Sequence, residues 1–165
     1  MAAMDDRQIL IAKLRSLPDQ LEALVQGLTP KQLTTLVASD SWTVAQHIHH
    51  IADSHMNSFI RVKLILTEER PLLKPYDQDR WVTLVDERGL PITTSLQILR
   101  GLHERWVALW ESLEGTDWER EGVHLEVGLV KLADLLQSYA QHGEDHMRQI
   151  EAILAAQEGQ RLSST

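Results

Sequence analysis

Apolar residues recur at steps of three and four positions along most of this chain of 165 residues. Such spacing puts them on one side of an α-helix, where neighbouring helices bury them. Segments that alternate apolar and polar residues, as half-buried strands do, are almost absent. The pattern therefore predicts an all-α fold, and four main amphipathic helices of this length predict a four-helix bundle.

Local signals mark the ends of the predicted helices. A capping box, in which Thr is followed three residues later by Gln, predicts helix starts at Thr29, Thr43 and Thr94. The first helix contains Pro18, which is expected to kink or divide it because proline lacks a backbone N–H. The four main helices are expected over about 9–28, 43–69, 94–113 and 129–157.

The connections and the chain ends complete the predicted organisation. Segment 71–91 holds prolines and many charges, so we expect a long connection that permits a crossover between the second and third main helices. A second connection is expected over about 114–128. One domain is expected over residues 1–158, followed by a polar tail at 159–165 that frays.

Composition excludes several classes of protein. The chain has 16 Lys and Arg against 24 Asp and Glu, and the resulting net charge of −8 argues against nucleic-acid binding. The absence of cysteine removes disulfides, thiolate metal ligands and cysteine nucleophiles together. The N-terminus lacks the pattern of an export signal, and no apolar run is long enough to span a bilayer. We therefore expect a cytoplasmic protein that binds neither nucleic acid nor membrane.

Eight histidines are the unusual part of the composition. His142 and His146 are four residues apart on the last predicted helix, so their side chains share one face. Such a pair is a two-ligand fragment for zinc, nickel, copper or iron. Two partly buried histidines with local hydrogen bonds are an equally weighted alternative. Gly143 follows His142 where the metalloprotease motif has its glutamate, so that class of enzyme is not indicated.

The second main helix carries four more histidines. His50 lies beside Ile51, at the border of the buried face, in a polar stripe that is typical of a pocket wall. For His47 and His49 we favour the alternative, a solvated flank. His55 falls within the apolar stripe, where a hydrogen-bonded core histidine is favoured over a ligand.

The remaining histidines leave the third metal ligand open. His103, on the third main helix, either faces the same cavity or hydrogen-bonds a neighbour. His124 lies in a predicted connection, where a capping or surface role is expected. A catalytic metal site commonly has three protein ligands and an open fourth position that takes water or substrate. Periodicity alone does not select the third ligand.

Five segments, in this order, resemble the YfiT-like branch of the DinB superfamily. They are 42–57 (WTVAQHIHHIADSHMN), 74–77 (KPYD), 102–106 (LHERW), 124–128 (HLEVG) and 139–146 (YAQHGEDH). The resemblance implies a four-helix bundle, usually a homodimer, with one divalent metal ion held by three histidines. In this family the first ligand lies eight residues after the motif tryptophan, which selects His50 over His49. The other two ligands are then His142 and His146.

The resemblance also implies a metal-dependent enzyme. Some family members are similar to bacillithiol S-transferases, relatives use mycothiol or glutathione, and members were labelled metal-dependent hydrolases. The leading hypothesis is a transferase that conjugates a low-molecular-weight thiol of the bacillithiol type to an electrophile, with zinc favoured over nickel or iron. A hydrolase that uses metal-bound water is the close alternative, and a non-catalytic metal-binding stress protein is the alternative from another class. Gln141 and Asp145 replace the Trp and His that are common in the family motif, which affects the expected substrate rather than the ligands.

Five further residues are candidates for the site because of their positions on the second main helix or in the long connection that follows it. Asp53, one turn from the candidate ligand on the same helix, is expected to orient that ligand or to accept a proton in catalysis. Asn57 and Arg61 are expected to anchor carboxylates of the thiol, Arg61 by bidentate pairing. Tyr76 and Asp77, in the long connection, are expected to line the entrance. Ordinary helix or loop contacts are the alternative for all five.

Overall fold

Four long helices form the body of the molecule in the computed structural model, which describes residues 5–39 and 41–163. They are α1 Asp6–Val25, α3 Val44–Thr67, α6 Thr93–Glu111 and α7 Leu132–Ser163. The shorter elements are α2 Pro30–Thr34, β1 Leu72–Leu73, α4 Gln78–Trp81, α5 Val85–Gly89, a 3₁₀ helix Gly115–Glu119, β2 Glu121–His124 and β3 Gly128–Lys131. The predicted all-α four-helix bundle is confirmed.

The packing of the long helices brings α3 against α7. α1 packs mainly against α6 and α7, and α3 packs mainly against the same two helices, so α1 and α3 lie at opposite corners of the bundle. Side chains of the long helices form two apolar clusters, one that includes Leu14, Trp106 and Leu136 and one that includes Ile48 and Ile150. Burial of these faces is the main stabilising contribution, and it is the one that the apolar periodicity predicts.

The first two predicted capping boxes are confirmed, and the third is wrong. At the start of α3, the Thr43 hydroxyl accepts a hydrogen bond from the Gln46 backbone N–H at 3.2 Å, and the Gln46 side chain accepts one from the Thr43 N–H at 2.9 Å. α6 instead begins at Thr93 without a side-chain cap. Thr94 lies inside α6, one residue after its start, and its hydroxyl donates to the carbonyl of Pro91 at 2.8 Å.

Of the two effects predicted for Pro18, a kink or a division of the first helix, the division is wrong. α1 runs from Asp6 to Val25 with Pro18 buried inside it. Pro18 has no N–H to donate to the Leu14 carbonyl four residues earlier. That carbonyl is 2.6 Å from Nδ1 of His103 on α6, so a donor from another helix replaces the missing bond.

The segments that connect the long helices contain a small three-stranded sheet. The sequence pattern did not predict this sheet. Its strand order is β1-β2-β3, with β1 parallel to β2 and β2 antiparallel to β3. Strands of two to four residues are too short to show the alternation from which strands are recognised. The sheet therefore covers one end of the bundle without a signal in the sequence pattern.

The last helix differs from its predicted bounds at both ends. α7 begins at Leu132, because residues 128–131 pair with β2. It continues to Ser163, so residues 159–163 of the expected frayed tail are helical, whereas Ser164 and Thr165 lie outside the described residues. Within the described ranges, no helix has both the length and the apolar character needed to cross a membrane.

Candidate metal centre

Three histidine side chains converge between α3 and α7. Each of His50, His142 and His146 offers a ring nitrogen, and these atoms lie within 4.8 Å of one another. Nε2 of His142 lies 3.2 Å from Nε2 of His50 and 3.1 Å from Nε2 of His146. Two nitrogen ligands of a tetrahedral zinc ion, each at about 2.0–2.1 Å, lie about 3.3 Å apart. These residues, called the histidine triad below, therefore lie close enough together to hold one metal ion.

Helix geometry and one close helix contact assemble the triad. His142 and His146 are one turn apart on α7, so both project toward α3. Gly143 lies between them at the contact with α1, where an added Cβ atom would come within 2.7 Å of Cδ2 of Leu17. Glycine at this position therefore lets α7 approach α1 while the adjacent turn presents its two imidazoles to the other side.

Burial keeps the triad in its neutral form. Burial, and then repulsion from neighbouring histidines, lowers the pKa of His50 to about 3 and the pKa of His142 to about 3. Burial lowers the pKa of His146 to about 4. Metal ions bind neutral imidazole, which has one nitrogen lone pair in the ring plane. At neutral pH all three side chains are therefore in the form that binds a metal.

His47 is a neighbour of the triad that the sequence reasoning placed wrongly on a solvated flank. It is 6% exposed, and its Nδ1 lies 2.8 Å from Nδ1 of His146. Burial and the nearby His146 lower the pKa of His47 to about 4. Trp42 lies over His146 with the ring planes 10° apart, and it meets His50 edge-on. His47 and Trp42 thus pack against rings of the triad without belonging to it.

His49 was also expected on a solvated flank, and this prediction is wrong as well. The side chain is 3% exposed. Its Nδ1 is 2.7 Å from the Ser95 hydroxyl and its Nε2 is 3.2 Å from the Leu90 carbonyl. These contacts join α3 to the start of α6 and involve no triad residue. Of the two adjacent histidines, His50 is therefore the one that contributes to the cluster.

His55 and His103 extend the cluster into the core. Nδ1 of His55 is 2.8 Å from Nε2 of His103, and Nε2 of His55 is 3.1 Å from Nδ1 of His142. The other nitrogen of His103 meets the Leu14 carbonyl. The prediction that His55 is a hydrogen-bonded core histidine is confirmed. His124 lies apart at the end of β2, where its Nδ1 accepts a local backbone hydrogen bond.

Asp53 has a buried carboxyl partner that the sequence reasoning missed. A side-chain hydrogen bond joins Asp53 to Glu87 on α5, and Glu87 is 5% exposed. Burial raises the pKa of Asp53, and burial together with the adjacent Asp53 charge raises the pKa of Glu87 to about 8. The pair therefore retains a proton at neutral pH. Glu87 lies in a segment predicted as a connection, and no motif marks it.

Asn57 and Arg61 both have partners within the protein. Nδ2 of Asn57 donates to the carbonyl of Asp53 at 2.9 Å. The buried Arg61 donates from Nη1 to the Tyr139 hydroxyl at 3.3 Å and from Nη2 to the Lys74 carbonyl at 2.7 Å. Arg61 thereby joins α3, α7 and the segment after β1. Binding of a thiol carboxylate by Asn57 or Arg61 stays a prediction.

Tyr76 and Asp77 lie between β1 and α4. Burial raises the pKa of Tyr76 to about 12, its side chain hydrogen-bonds to Ser54, and its ring centroid is 4.5 Å from that of Trp81. Asp77 caps α4 by accepting a hydrogen bond from the Arg80 N–H at 3.0 Å. A role for either residue at the entrance to the site stays a prediction.

The fold and the triad together define a helical bundle with a candidate three-histidine metal centre between two of its long helices. The sequence model that describes the DinB superfamily matches residues 13–150 of this chain. The chain therefore belongs to the DinB superfamily, as the five sequence segments predicted.

Relatives from several bacteria match most of the chain. A Bacillus cereus protein named "putative metal-dependent hydrolase" is 44% identical over 143 residues, which are 87% of this chain and 82% of the relative. A protein of Oceanobacillus iheyensis with the same description is 43% identical over 143 residues, 87% of this chain and 83% of its own length. One from Geobacillus thermodenitrificans is 42% identical over 153 residues, 90% and 84% of the two chains.

A solved structure supports the same relationship. YfiT from Bacillus subtilis, described as "a probable metal-dependent hydrolase with an unusual four-helix bundle topology", superposes with a TM-score of 0.88 at 35% sequence identity. The superposition covers 96% of this chain and 92% of YfiT. The bundle and its connections are thus shared across nearly the whole length of both proteins.

Proposed function

We propose that this protein is a metal-dependent enzyme whose divalent metal ion is held by His50, His142 and His146. The observation that carries the proposal is the convergence of three neutral imidazoles, with Nε2 separations of 3.1 and 3.2 Å at His142. Three ligands leave a fourth position for a reacting molecule. Zinc suits three imidazoles, and nickel or iron accept the same ligand type.

The proposed reaction is transfer of a low-molecular-weight thiol, of the bacillithiol type, to an electrophile. A divalent metal at the triad lowers the pKa of a thiol or water that it binds, so that the nucleophile is deprotonated near neutral pH. The chain has no cysteine, so the sulfur has to come from a co-substrate. The segments that resemble the YfiT-like branch, some of whose members are similar to bacillithiol S-transferases, include the one that carries His50 and the one that carries His142 and His146.

The protein side chains have defined parts in this proposal. Asp53 accepts the thiol proton, a task that suits a carboxylate whose pKa burial raises. The sulfur forms a bond to the electrophilic carbon, and the leaving group departs with the electrons of the broken bond. Asn57 and Arg61 bind carboxylates of the thiol, and Tyr76 and Asp77 lie at the entrance.

Hydrolysis is the second candidate function, because the bacterial relatives carry the name of a metal-dependent hydrolase. It uses the same three ligands, with water in place of the thiol as nucleophile. The two reactions differ in one requirement, since hydrolysis proceeds without an added thiol.

One pair of assays separates these functions. Monochlorobimane is offered with bacillithiol, mycothiol or glutathione, and a panel of esters, amides and lactones is offered without thiol, each with and without a chelator. We expect thiol-dependent conjugation that the chelator abolishes. We also expect it to be lost in His50→Phe and retained in His49→Phe, a matched change of the adjacent buried histidine.

The other results decide against the proposal. Chelator-sensitive hydrolysis without thiol would replace the transferase with the hydrolase. Turnover of neither set by metal-loaded protein would favour a non-catalytic metal-binding protein.

A further inference from the structure

A continuous series of hydrogen-bonding atoms runs from the backbone of α1 to the triad. The Leu14 carbonyl is 2.6 Å from Nδ1 of His103, whose Nε2 is 2.8 Å from Nδ1 of His55. Nε2 of His55 is 3.1 Å from Nδ1 of His142. Leu14, His103, His55 and His142 lie on α1, α6, α3 and α7 respectively, so one series joins all four long helices. We call it the histidine relay.

The first acceptor of the relay exists because of a proline. In a regular helix the Leu14 carbonyl would accept from the N–H of residue 18, but Pro18 has none. Leu14 is 1% exposed, and a buried carbonyl is costly to leave without a donor. His103 is 2% exposed and supplies that donor.

The carbonyl fixes the direction of every hydrogen bond in the relay. A carbonyl only accepts, so Nδ1 of His103 carries the proton. A neutral imidazole has one donor and one acceptor, so Nε2 of His103 accepts and Nδ1 of His55 donates. By the same rule Nε2 of His55 accepts and Nδ1 of His142 donates. The remaining nitrogen, Nε2 of His142, then carries a lone pair, and it is the atom that faces His50 and His146.

We propose that His55 and His103 are positioning residues, which act from the Leu14 carbonyl to hold His142 in its Nδ1–H tautomer with the Nε2 lone pair directed at the metal position. The proposal rests on the metal centre proposed above and adds residues to it. Metal-bound histidines commonly donate their second N–H to a fixed acceptor, and loss of such an acceptor typically weakens metal binding about 10–100-fold. In this protein the acceptor is another histidine, whose own tautomer the fold determines.

The first test needs no variant protein and no metal. Two-bond proton–nitrogen correlation spectra of metal-free, ¹⁵N-labelled protein at neutral pH report which ring nitrogen carries the proton. We expect the Nδ1–H form at His103, His55 and His142. An Nε2–H form at any of the three would overturn the relay, whether or not the protein binds a metal.

The second test measures zinc affinity by competition with a chelator. His55→Phe keeps an aromatic ring but removes both hydrogen-bonding atoms, and we expect zinc to bind about 10–100-fold more weakly. His49→Phe is the matched control, because His49 is also buried on the same helix and its side-chain hydrogen bonds go to Ser95 and Leu90 rather than to the triad, and we expect its affinity to stay near that of the wild type.

A third variant separates orientation from packing. In His55→Gln, the amide N–H can donate to His103 and the amide oxygen can accept from His142, so we expect affinity between those of His55→Phe and the wild type. Equal affinities of His55→Phe and His49→Phe would overturn the relay. A wild-type protein that binds no zinc would instead contradict the metal centre, while the tautomers would still decide the relay.

Discussion

Nδ1 of His47 and Nδ1 of His146 lie 2.8 Å apart, on two different helices of the bundle. If Nε2 of His146 binds a metal ion, its Nδ1 carries the proton, and His47 is the acceptor. His47 would thus accept a hydrogen bond from Nδ1 of His146, as His55 accepts one from Nδ1 of His142. Two of the three triad residues therefore have another histidine as the hydrogen-bond partner of Nδ1.

This contact predicts an effect of His47 on metal binding. Replacing His47 by Phe removes the acceptor, and we expect zinc affinity to fall about 10-fold or more while the helical content is unchanged. Chelator competition and circular dichroism measure the two quantities. An affinity equal to that of His49→Phe would show that the Nδ1 contact does not orient His146.

The close approach of α1 to Gly143 predicts that a larger residue at this position, next to the triad, destabilises the protein. In Gly143→Ala the new Cβ would lie within 2.7 Å of Leu17 Cδ2, and we expect a loss of about 1–3 kcal/mol in the free energy of unfolding. Gly159→Ala, on the same helix with nothing within 4 Å of its added Cβ, should stabilise by up to about 1 kcal/mol through helix propensity.

The cause of that loss can be checked with a second change. Leu17→Ala makes room for the added methyl group, so the effects of Gly143→Ala and Leu17→Ala should not be additive in urea denaturation. Additive effects, or a Gly143→Ala variant as stable as Gly159→Ala, would contradict a close contact between α1 and α7.

The raised pKa of Glu87 predicts that the difference in unfolding free energy between the wild type and Glu87→Gln depends on pH. The pKa of Glu87 is about 8 in the folded protein against about 4.5 in the unfolded chain, so between these values the folded state holds the extra proton. Its contribution to stability is present below pH 4.5 and is lost as the pH rises to 8. We expect Glu87→Gln, which keeps a donor for Asp53, to gain in unfolding free energy over the wild type as the pH rises from 5 to 8. A difference that is constant with pH would contradict the raised pKa.

The lowered pKa of His103 predicts that the free energy of unfolding falls in acid, whereas the contribution of Glu87 falls as the pH rises. Burial lowers its pKa from 6.5 to about 4, so between these values the unfolded chain binds the extra proton. The free energy of unfolding of metal-free protein should therefore fall as the pH drops from 6.5 to 4, by about 3 kcal/mol from this residue. Urea denaturation across this range measures it, and His103→Gln should show a shallower decline. Equal slopes for both proteins would contradict a neutral, buried His103.

Most features of the fold that depend on local sequence could be predicted, the Thr94 box being an exception, and those that depend on packing could not. Apolar spacing predicted four helices, and the Thr43 box predicted the start of α3, because both signals lie within one helix. The histidines at 47 and 49 were misplaced because α6 and α7 both pack on α3 and α5 adds a further contact, so little of that helix faces solvent. The spacing of apolar residues identifies one buried face of a helix, and it does not show that the other faces are covered as well.

The candidate site was predictable only in part for the same reason. The spacing of His142 and His146 is a local signal, and the family resemblance selected His50. Glu87, and the acceptor that Pro18 leaves at Leu14, become visible only when separate helices meet. The homodimer, the identity of the metal and the thiol, and the cytoplasmic location stay predictions.

The three-histidine metal centre is tested most directly by the metal content of protein purified without a histidine tag. Elemental analysis measures the metal content of the wild type and of His146→Ala, which are prepared in parallel. We expect one divalent metal ion per chain in the wild type and its loss in the variant, because removal of a ligand opens the triad. Substoichiometric metal that is unchanged by His146→Ala would contradict the centre.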